Sequence, residues 1–382
     1  MRLLWTVANW KRTGPVEPSL DLAAALDRRG HEVLVVTGRP VGSAPDEAGE
    51  AAEARGLQRL RLGLALRKHV GFLANRRDAR GVAAHLRART PDAVVVTLRN
   101  DHRIVARALA QAGLGVPLVR TWFEDGTEAP GNEEATLLRA AAAVVVFGAG
   151  PAATLQRAGV APERVVVLAP PLDVDRVRRG ATDVAAARAG FLAPPGALVV
   201  GLVARVQPHR RFDLLWDALA LLRDRGASVF AVVVGRGTSF HDVAREPVAR
   251  RRLEDRVRFA GYLRGSAYAS ALAAFDAQLL LVPGSDPTVR ALREGMALGV
   301  PSVVTRLGLL PDLVEHGRTG LVVDDAPAAL ADALARLAAD PQARAAMGVA
   351  AAARAETSFA LGRVAERLEA ALAAAAQRAT AR

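Results

Sequence analysis

The residues of this 382-residue chain that could do chemistry gather in its second half. In PGSDPTVRALREGMALGVPSVV one acid, Asp286, stands before a proline, and a second, Glu294, follows two helical turns later. Asp then Pro at the opening of a helical pattern is an N-cap with proline at the first helical position, and that role alone accounts for Asp286. A carboxylate pair also suits vicinal hydroxyls, because each carboxylate accepts two hydrogen bonds at once. The small residues Gly295, Ala297 and Gly299 beside Glu294 leave room for something to come close to the backbone.

Arg205 closes the apolar run ALVVGLVAR, and Arg210 follows in RVQPHRRFDLLWDAL, where a helix begins. Two cations at a strand end and a helix mouth can clamp a diphosphate, with the helix N-terminus adding partial positive charge. The plain alternative is that both are two arginines among many. In TRLGLLPDLVEHGRTGLVV, Gly308 leads through Leu309 and Leu310 into a short helix near Pro311. The first N–H groups of such a helix have no partner within it. His31 in the RGHEV turn reads as structural, and His69, His85 and His241 show no metal-ligand spacing.

These residues need elements to hold them. Apolar runs of strand length, LLWTVA, EVLVVT, AVVVTL, PLVRTWF, AVVVFG and RVVVLAP, alternate with amphipathic helical patterns in the first half. The runs are continuous, as expected of strands buried on both faces of a parallel sheet. The pattern restarts at ALVVGLVAR and continues through SVFAVVVG, VRFAGYL, AQLLLVP, PSVVT and TGLVV. Two such series predict two doubly wound α/β domains facing across a cleft, with ligands at the carboxyl ends of the strands. The expected boundaries are 1–180 for the first domain and 181–196 for a linker containing Pro194-Pro195-Gly196. The second domain is expected over 197–355, followed by a helix over 356–382 packing back toward the first.

Composition narrows the partners. The chain has no cysteine, which excludes disulfides, thiolate metal sites and cysteine nucleophiles, and fits a reducing cytoplasm. It has no uncharged apolar run long enough to span a bilayer, and its N-terminus reads as a strand rather than a secretory signal. The net charge is +12, and of 51 basic residues only Lys11 and Lys68 are lysine, so either coding bias or an anionic partner is at work. Aromatics make up 4%, and no zinc-finger or RNA-binding motif appears, which disfavours nucleic acid. The stretch QRLRLGLALRKHVGFLANRRDARG mixes arginine with leucine and suits peripheral contact with an anionic membrane; an ordinary strand followed by a solvated helix accounts for it equally.

In order and spacing, RVQPHRRFDLL, VVVGRG, VRFAGYL, DPTVRALREGMALGVPSVV and LPDLVEHGRTGLVV resemble the C-terminal half of a family 4 retaining glycosyltransferase of the GT-B fold. RRGHEVLVVTG and VAPERVVVLAPPLDVDRV resemble the same family's N-terminal half. PGSDPTVRALREGMALG is nearest to a subgroup linked to lipopolysaccharide and other envelope glycans. The resemblance implies a metal-independent enzyme on the cytoplasmic side that moves a sugar from a nucleotide diphosphate donor to a hydroxyl acceptor.

It also implies roles. Arg205 and Arg210 would hold the donor pyrophosphate, Arg210 standing where the family usually has lysine. Glu294 would hold the ribose. Asp286, where glutamate is usual, would contact the sugar. Gly261 to Leu263 would border the base, and Gly308, Leu309 and Leu310 would line the donor site. Gly14 would lie near the pyrophosphate or acceptor, in a Thr13-Gly14 pair where two glycines are usual. The family's histidine after the fifth strand is here Phe123, so the catalytic candidates become Asp101, His102 and Glu124, with Asp125 beside them. Asp101 reads equally as the cap of the helix that starts there. Two other readings stay open: a sugar-nucleotide epimerase or hydrolase on the same fold, and a catalytically silent binding protein.

Overall fold

In the computed structural model, which describes residues 1–11, 13–69, 71–124, 128–282 and 289–380, the α/β alternation resolves into two units. The first is Met1–Pro171 with Leu361–Arg382, and the second is Leu172–Ala360.

The first unit is built on seven strands: β1 (Arg2–Val7), β2 (Glu32–Thr37), β3 (Gln58–Arg59), β4 (Ala93–Val96), β5 (Leu118–Trp122), β6 (Ala143–Val146) and β7 (Val165–Val167). They pair in parallel in the order β3-β2-β1-β4-β5-β6-β7. Successive residues of β1 enter opposite cores: Leu3, Trp5 and Val7 one, Leu4 the other. That is why the strand sequences are continuously apolar. The chain leaves β1 in one direction and returns at β4 to build the other, so the order reverses between β1 and β4.

The second unit repeats the plan with β8 (Leu198–Val203), β9 (Val229–Val234), β10 (Val257–Gly261), β11 (Ala277–Leu280), β12 (Ser302–Thr305) and β13 (Gly320–Val323). Its order is β10-β9-β8-β11-β12-β13, again all parallel, and it reverses between β8 and β11. Ligands of open parallel sheets bind outside the carboxyl ends of strands at such a reversal.

Residues 181–196, expected as a linker, belong to the second unit. Asp183 caps the helix Val184–Gly190, its carboxylate accepting from the Ala186 N–H at 3.0 Å. Phe191 is buried and stacks on Phe275 at 5.5 Å, while Arg188 donates to Asp276 at 2.8 Å. Burial of one large aromatic outweighs the local turn signal of Pro194-Pro195-Gly196, which merely leads the chain into β8. The helix Leu361–Thr380 completes the first unit. Leu361, Val364, Leu368 and Leu372 are buried in the same core as the helix Val16–Arg28, and Glu369 accepts from Arg29 at 2.6 Å.

Candidate functional site

The second unit carries the donor-side candidates on the loops at its strand-order reversal. Beyond β8 the chain stays attached to its neighbour: Ala204 N–H donates to Val234 at 3.1 Å, and Val206 N–H to Arg236 at 3.2 Å. This extension of the ladder fixes the segment that carries Arg205. It also explains two glycines of VVVGRG, since a Cβ at Gly235 or Gly237 would overlap the carbonyl oxygens of Ala204 and Val206. Arg205 is exposed. Arg210 closes a short helical turn, Pro208–Arg210, and is 7% exposed. Burial, and then the positive charge of Arg205, push the Arg210 pKa below its ordinary value. Two guanidiniums close enough to repel are stabilised by an anion that neutralises both.

Glu294 lies on the helix Arg290–Ala297, which follows β11, the strand beside β8. It is 5% exposed. One carboxylate oxygen accepts from Tyr268 Oη at 2.8 Å and the other from Arg290 Nε at 2.7 Å. Each oxygen keeps a lone pair, enough for two vicinal hydroxyls. The close approach that the small residues suggested is real, and its partner is the protein itself. Gln278 on β11 donates to Leu292 O at 2.8 Å and to Ser302 Oγ at 3.0 Å, and a Cβ at Gly295 would overlap its carboxamide. The missing side chain lets the helix sit on the sheet, which sets the depth of Glu294.

After β12, the strand next to β11, Gly308 adopts φ +53° and precedes the four-residue helix Leu310–Leu313. Leu309 and Leu310 are buried, and Leu310 N–H donates to Leu307 O at 3.1 Å. Gly261 adopts φ +72°, and its carbonyl accepts from Gly235 N–H at 2.7 Å. Tyr262 beside it is half exposed between the guanidiniums of Arg236 and Arg264, and Leu263 is partly buried. Arg205, Arg210, Glu294 and Gly308 thus ride on the carboxyl-end loops of three adjacent strands. Asp286 lies outside the described residues.

In the first unit, the candidates after β4 turn inward. Asp101 is wholly buried in the first turn of the helix Arg99–Ala112. Its carboxylate accepts from the N–H groups of Leu98 at 2.7 Å, His102 at 3.0 Å, Thr97 at 3.1 Å and Ala8 at 3.2 Å. It thereby ties the end of β1 to the end of β4, at the strand-order reversal. Burial raises its pKa to about 6, against the pull of Arg120 and of these N–H groups, so it is charged at pH 7. His102 is also buried, and burial and then Arg120 push its pKa down to about 3, so its imidazole is neutral. Glu124 is exposed, while Asp125 lies outside the described residues. Phe123, at the place of the family's histidine, is core: its ring stacks on Phe147 at 4.5 Å. Gly14 is exposed with open space where a Cβ would stand, just ahead of the helix Val16–Arg28.

Sequence reasoning missed three members of this constellation. Arg290 carries the readable signal of a cation four positions before Glu294 on one helix. Arg120 is a lone charge inside the apolar run PLVRTWF and is 1% exposed. Tyr268 reaches Glu294 only through tertiary packing, which no local pattern records. His241, Asp242 and Glu246, without ligand spacing in sequence, bring side-chain atoms within 4.8 Å of one another, all exposed. Among the described residues, no helix is long and apolar enough to cross a membrane.

Comparison with known proteins places each half. Residues 13–171 match the glycosyl transferase 4-like domain, and residues 197–340 match the glycosyl transferases group 1. The D-inositol 3-phosphate glycosyltransferase of Streptomyces scabiei is 32% identical over 274 residues, covering 65% of this chain and 61% of that protein. The same enzyme of Corynebacterium glutamicum is 32% identical over 197 residues, covering 49% and 46%. The matched stretch thus spans roughly half to three fifths of these relatives' own lengths. Among solved structures, Anabaena HepE in complex with UDP superposes with a TM-score of 0.77 at 22% identity, covering 98% of this chain and 100% of that one. Sucrose-phosphate synthase from Thermosynechococcus elongatus gives 0.73 at 19% identity, with both chains covered completely. At these identities the likeness shows the fold, two Rossmann-like α/β units as in GT-B proteins.

Proposed function

We propose that this chain, a glycosyl transferase 4-like half followed by a group 1 half, is a retaining glycosyltransferase that moves a sugar from a nucleotide diphosphate donor to a hydroxyl. The observation that carries the reading is the buried Arg210 held against Arg205 at the strand-order reversal, with Glu294 on the loop and helix next to it. The arginines would take the pyrophosphate and Glu294 the ribose. Asp286, from its place in the sequence, would contact the sugar. UDP is the first nucleotide to test, since HepE is solved with UDP and with UDP-glucose.

In the proposed reaction the acceptor oxygen bonds to the anomeric carbon while that carbon's bond to the β-phosphate oxygen breaks. The bonding pair leaves with the nucleoside diphosphate. Retention puts attack and departure on one face, so the departing phosphate oxygen is the nearest base for the acceptor's proton. The arginines stabilise the negative charge that grows on the diphosphate, without need of a metal. A core phenylalanine at position 123 is compatible with this route, because no protein base is required there. Asp101 is a positioning residue that shapes the acceptor-side loops. The envelope-glycan role rests on the resemblance of PGSDPTVRALREGMALG. Peripheral membrane contact rests on Phe72 and Leu73, 67% and 79% exposed at the start of the arginine-rich helix Phe72–Ala88.

The test is a calorimetric titration of UDP, GDP, ADP and TDP followed by a transfer assay. One diphosphate should bind, and Glu294→Gln should weaken it. Arg205→Ala should slow transfer by about 10²–10³, the usual cost of losing one such contact. Unchanged turnover in Arg205→Ala sinks the assignment. Nucleotide release that outruns transfer to every hydroxyl tried would move it to a hydrolase or epimerase.

A further inference from the structure

Glu294 is held by two donors that come from different places. Arg290, one turn earlier on the same helix, gives its Nε–H to Oε1 at 2.7 Å. That bond moves with the helix and gives the carboxylate no reference to the rest of the sheet. The second donor does. Tyr268 lies on the helix Gly265–Ala273, which follows β10, and donates its hydroxyl to Oε2 at 2.8 Å. In the sheet, β9 and β8 stand between β10 and β11. The bond from Tyr268 to Glu294 therefore closes over the strand-order reversal and registers one half of the site against the other.

Both ends of this bond are anchored. The Tyr268 ring packs on the apolar cluster around Phe230 and Phe275, beside Leu263 and Leu298. Leu298 ends the helix that carries Glu294. Ser270, buried on the helix of Tyr268, accepts from the Asp183 N–H at 3.1 Å, which ties that helix to the segment ahead of β8. With the ring packed, only the hydroxyl hydrogen has freedom to turn. A phenol has one hydrogen to give, and Glu294 receives it. What Oη and the two carboxylate oxygens can then offer a ligand is acceptors alone. Such a set takes O–H donors, and two hydroxyls on adjacent carbons match the two carboxylate oxygens.

We propose that Tyr268 is a positioning residue that fixes Glu294 against a cis-diol, so that the site demands a ribose with both of its hydroxyls. The inference rests on the donor-site reading above and narrows the donor to a ribonucleoside diphosphate sugar. Thymidine diphosphate sugars, whose pentose lacks the 2′-hydroxyl, are then refused. The reason is burial: Glu294 is 5% exposed, so a missing hydroxyl leaves one acceptor covered by the ligand and unmatched.

The experiment is calorimetric titration of the full chain with UDP, GDP and ADP, each beside its 2′-deoxy and 3′-deoxy counterparts, and with thymidine diphosphate. It is run on wild type, Tyr268→Phe, Glu294→Gln and the double variant. In wild type, the deoxy forms of the nucleotide that binds should bind about tenfold to a hundredfold more weakly, as expected for a lost hydrogen bond to a charged group. This ratio tests the proposal without any variant. Tyr268→Phe keeps the packed ring and removes only Oη, and its melting temperature reads the fold separately. It should weaken the ribonucleotide about tenfold and its deoxy forms far less, bringing the ratio to within about threefold. Added to Glu294→Gln, it should change affinity little, because the phenol acts through the carboxylate. A tyrosine that only props the fold would weaken ribose and deoxyribose forms alike and add its loss to that of Glu294→Gln. That result, equal binding of ribose and deoxyribose forms by wild type, or thymidine diphosphate bound as tightly as the best ribonucleotide, overturns the proposal and leaves the donor site standing. Binding of none of these nucleotides overturns the donor reading and this inference with it.

Discussion

Asp101 and His102 are neighbours with opposite proton preferences, and their signs can be worked out. His102 falls from 6.5 to about 3 on folding, so below pH 6.5 the unfolded chain binds a proton that the native chain refuses. Its stabilising contribution is complete above pH 6.5 and is lost as the pH falls toward 3. Asp101 rises from 3.8 to about 6, so between those values the native chain holds a proton that the unfolded chain has released. Its contribution is complete below 3.8 and is lost as the pH rises through 6. Between about pH 4 and 6 the two slopes oppose each other, so this buried corner adds little net pH dependence. Replacing His102 by Gln removes one slope and leaves the other. The stability difference between wild type and His102→Gln should therefore shrink by about 2–3 kcal/mol from pH 7 to pH 4.5. Urea unfolding at the two pH values measures it, and an equal difference at both would show that His102 titrates normally. Neither neighbour's proton affinity was legible in TLRNDHR. That Asp101 serves the start of this helix was legible, because such bonds are local, but it does so from the first turn, accepting from the Leu98 N–H, rather than ahead of the helix as its N-cap; burial and the nearness of Arg120 are set by β5, which the chain reaches later.

At the scale of elements, the helix Arg290–Ala297 shows how a site is set by what is missing. Gly295→Ala would drive a methyl group into the carboxamide of Gln278, which is held by the backbone of Leu292 and by Ser302. Overpacking of this kind costs about 1–3 kcal/mol. The variant should melt lower and, because the helix must lift from the sheet, bind the nucleotide more weakly through a displaced Glu294. Gly150→Ala is the comparison: it lies in the helix Ala149–Arg157 with nothing near its Cβ, so it should be neutral or gain about 0.5–1 kcal/mol. Matching losses in both variants would refute the packing account. The strands themselves were readable, since AVVVTL contains Ala93–Val96 and RVVVLAP contains Val165–Val167. The two-residue β3 was not, being too short to show a period. Small residues around Glu294 signalled close approach, but that the approaching group is Gln278, on the strand just before the helix, depends on how the helix folds back on the sheet, which no local pattern records.

For the molecule as a whole, the notable fact is that one unit is made of two separate stretches of chain. The core of the first unit draws on Leu361, Val364, Leu368 and Leu372 as well as on the first 171 residues. Burying four such side chains contributes roughly 6–10 kcal/mol, comparable with the net stability of an ordinary domain. A chain cut after Ala360 should therefore keep the second unit folded and lose the first. Circular dichroism and nucleotide titration of that fragment read the two units separately. Adding residues 361–380 as a peptide should restore part of the lost signal. A truncated chain that melts like the full one would show that the helix is dispensable.

The same discontinuity has a cost in time. On the ribosome, residues 361–380 are made roughly 190 residues after Pro171. At about 5–20 residues per second, that is a delay of about 10–40 s, long compared with the folding of a single domain. For that interval the nascent first half carries an uncovered apolar face while the second half, contiguous in sequence, can close around its own sheet. The order of completion is then the reverse of the order of synthesis. The first half becomes a client for whatever shields nascent chains, and a chain stalled before Leu361 is left open to proteolysis.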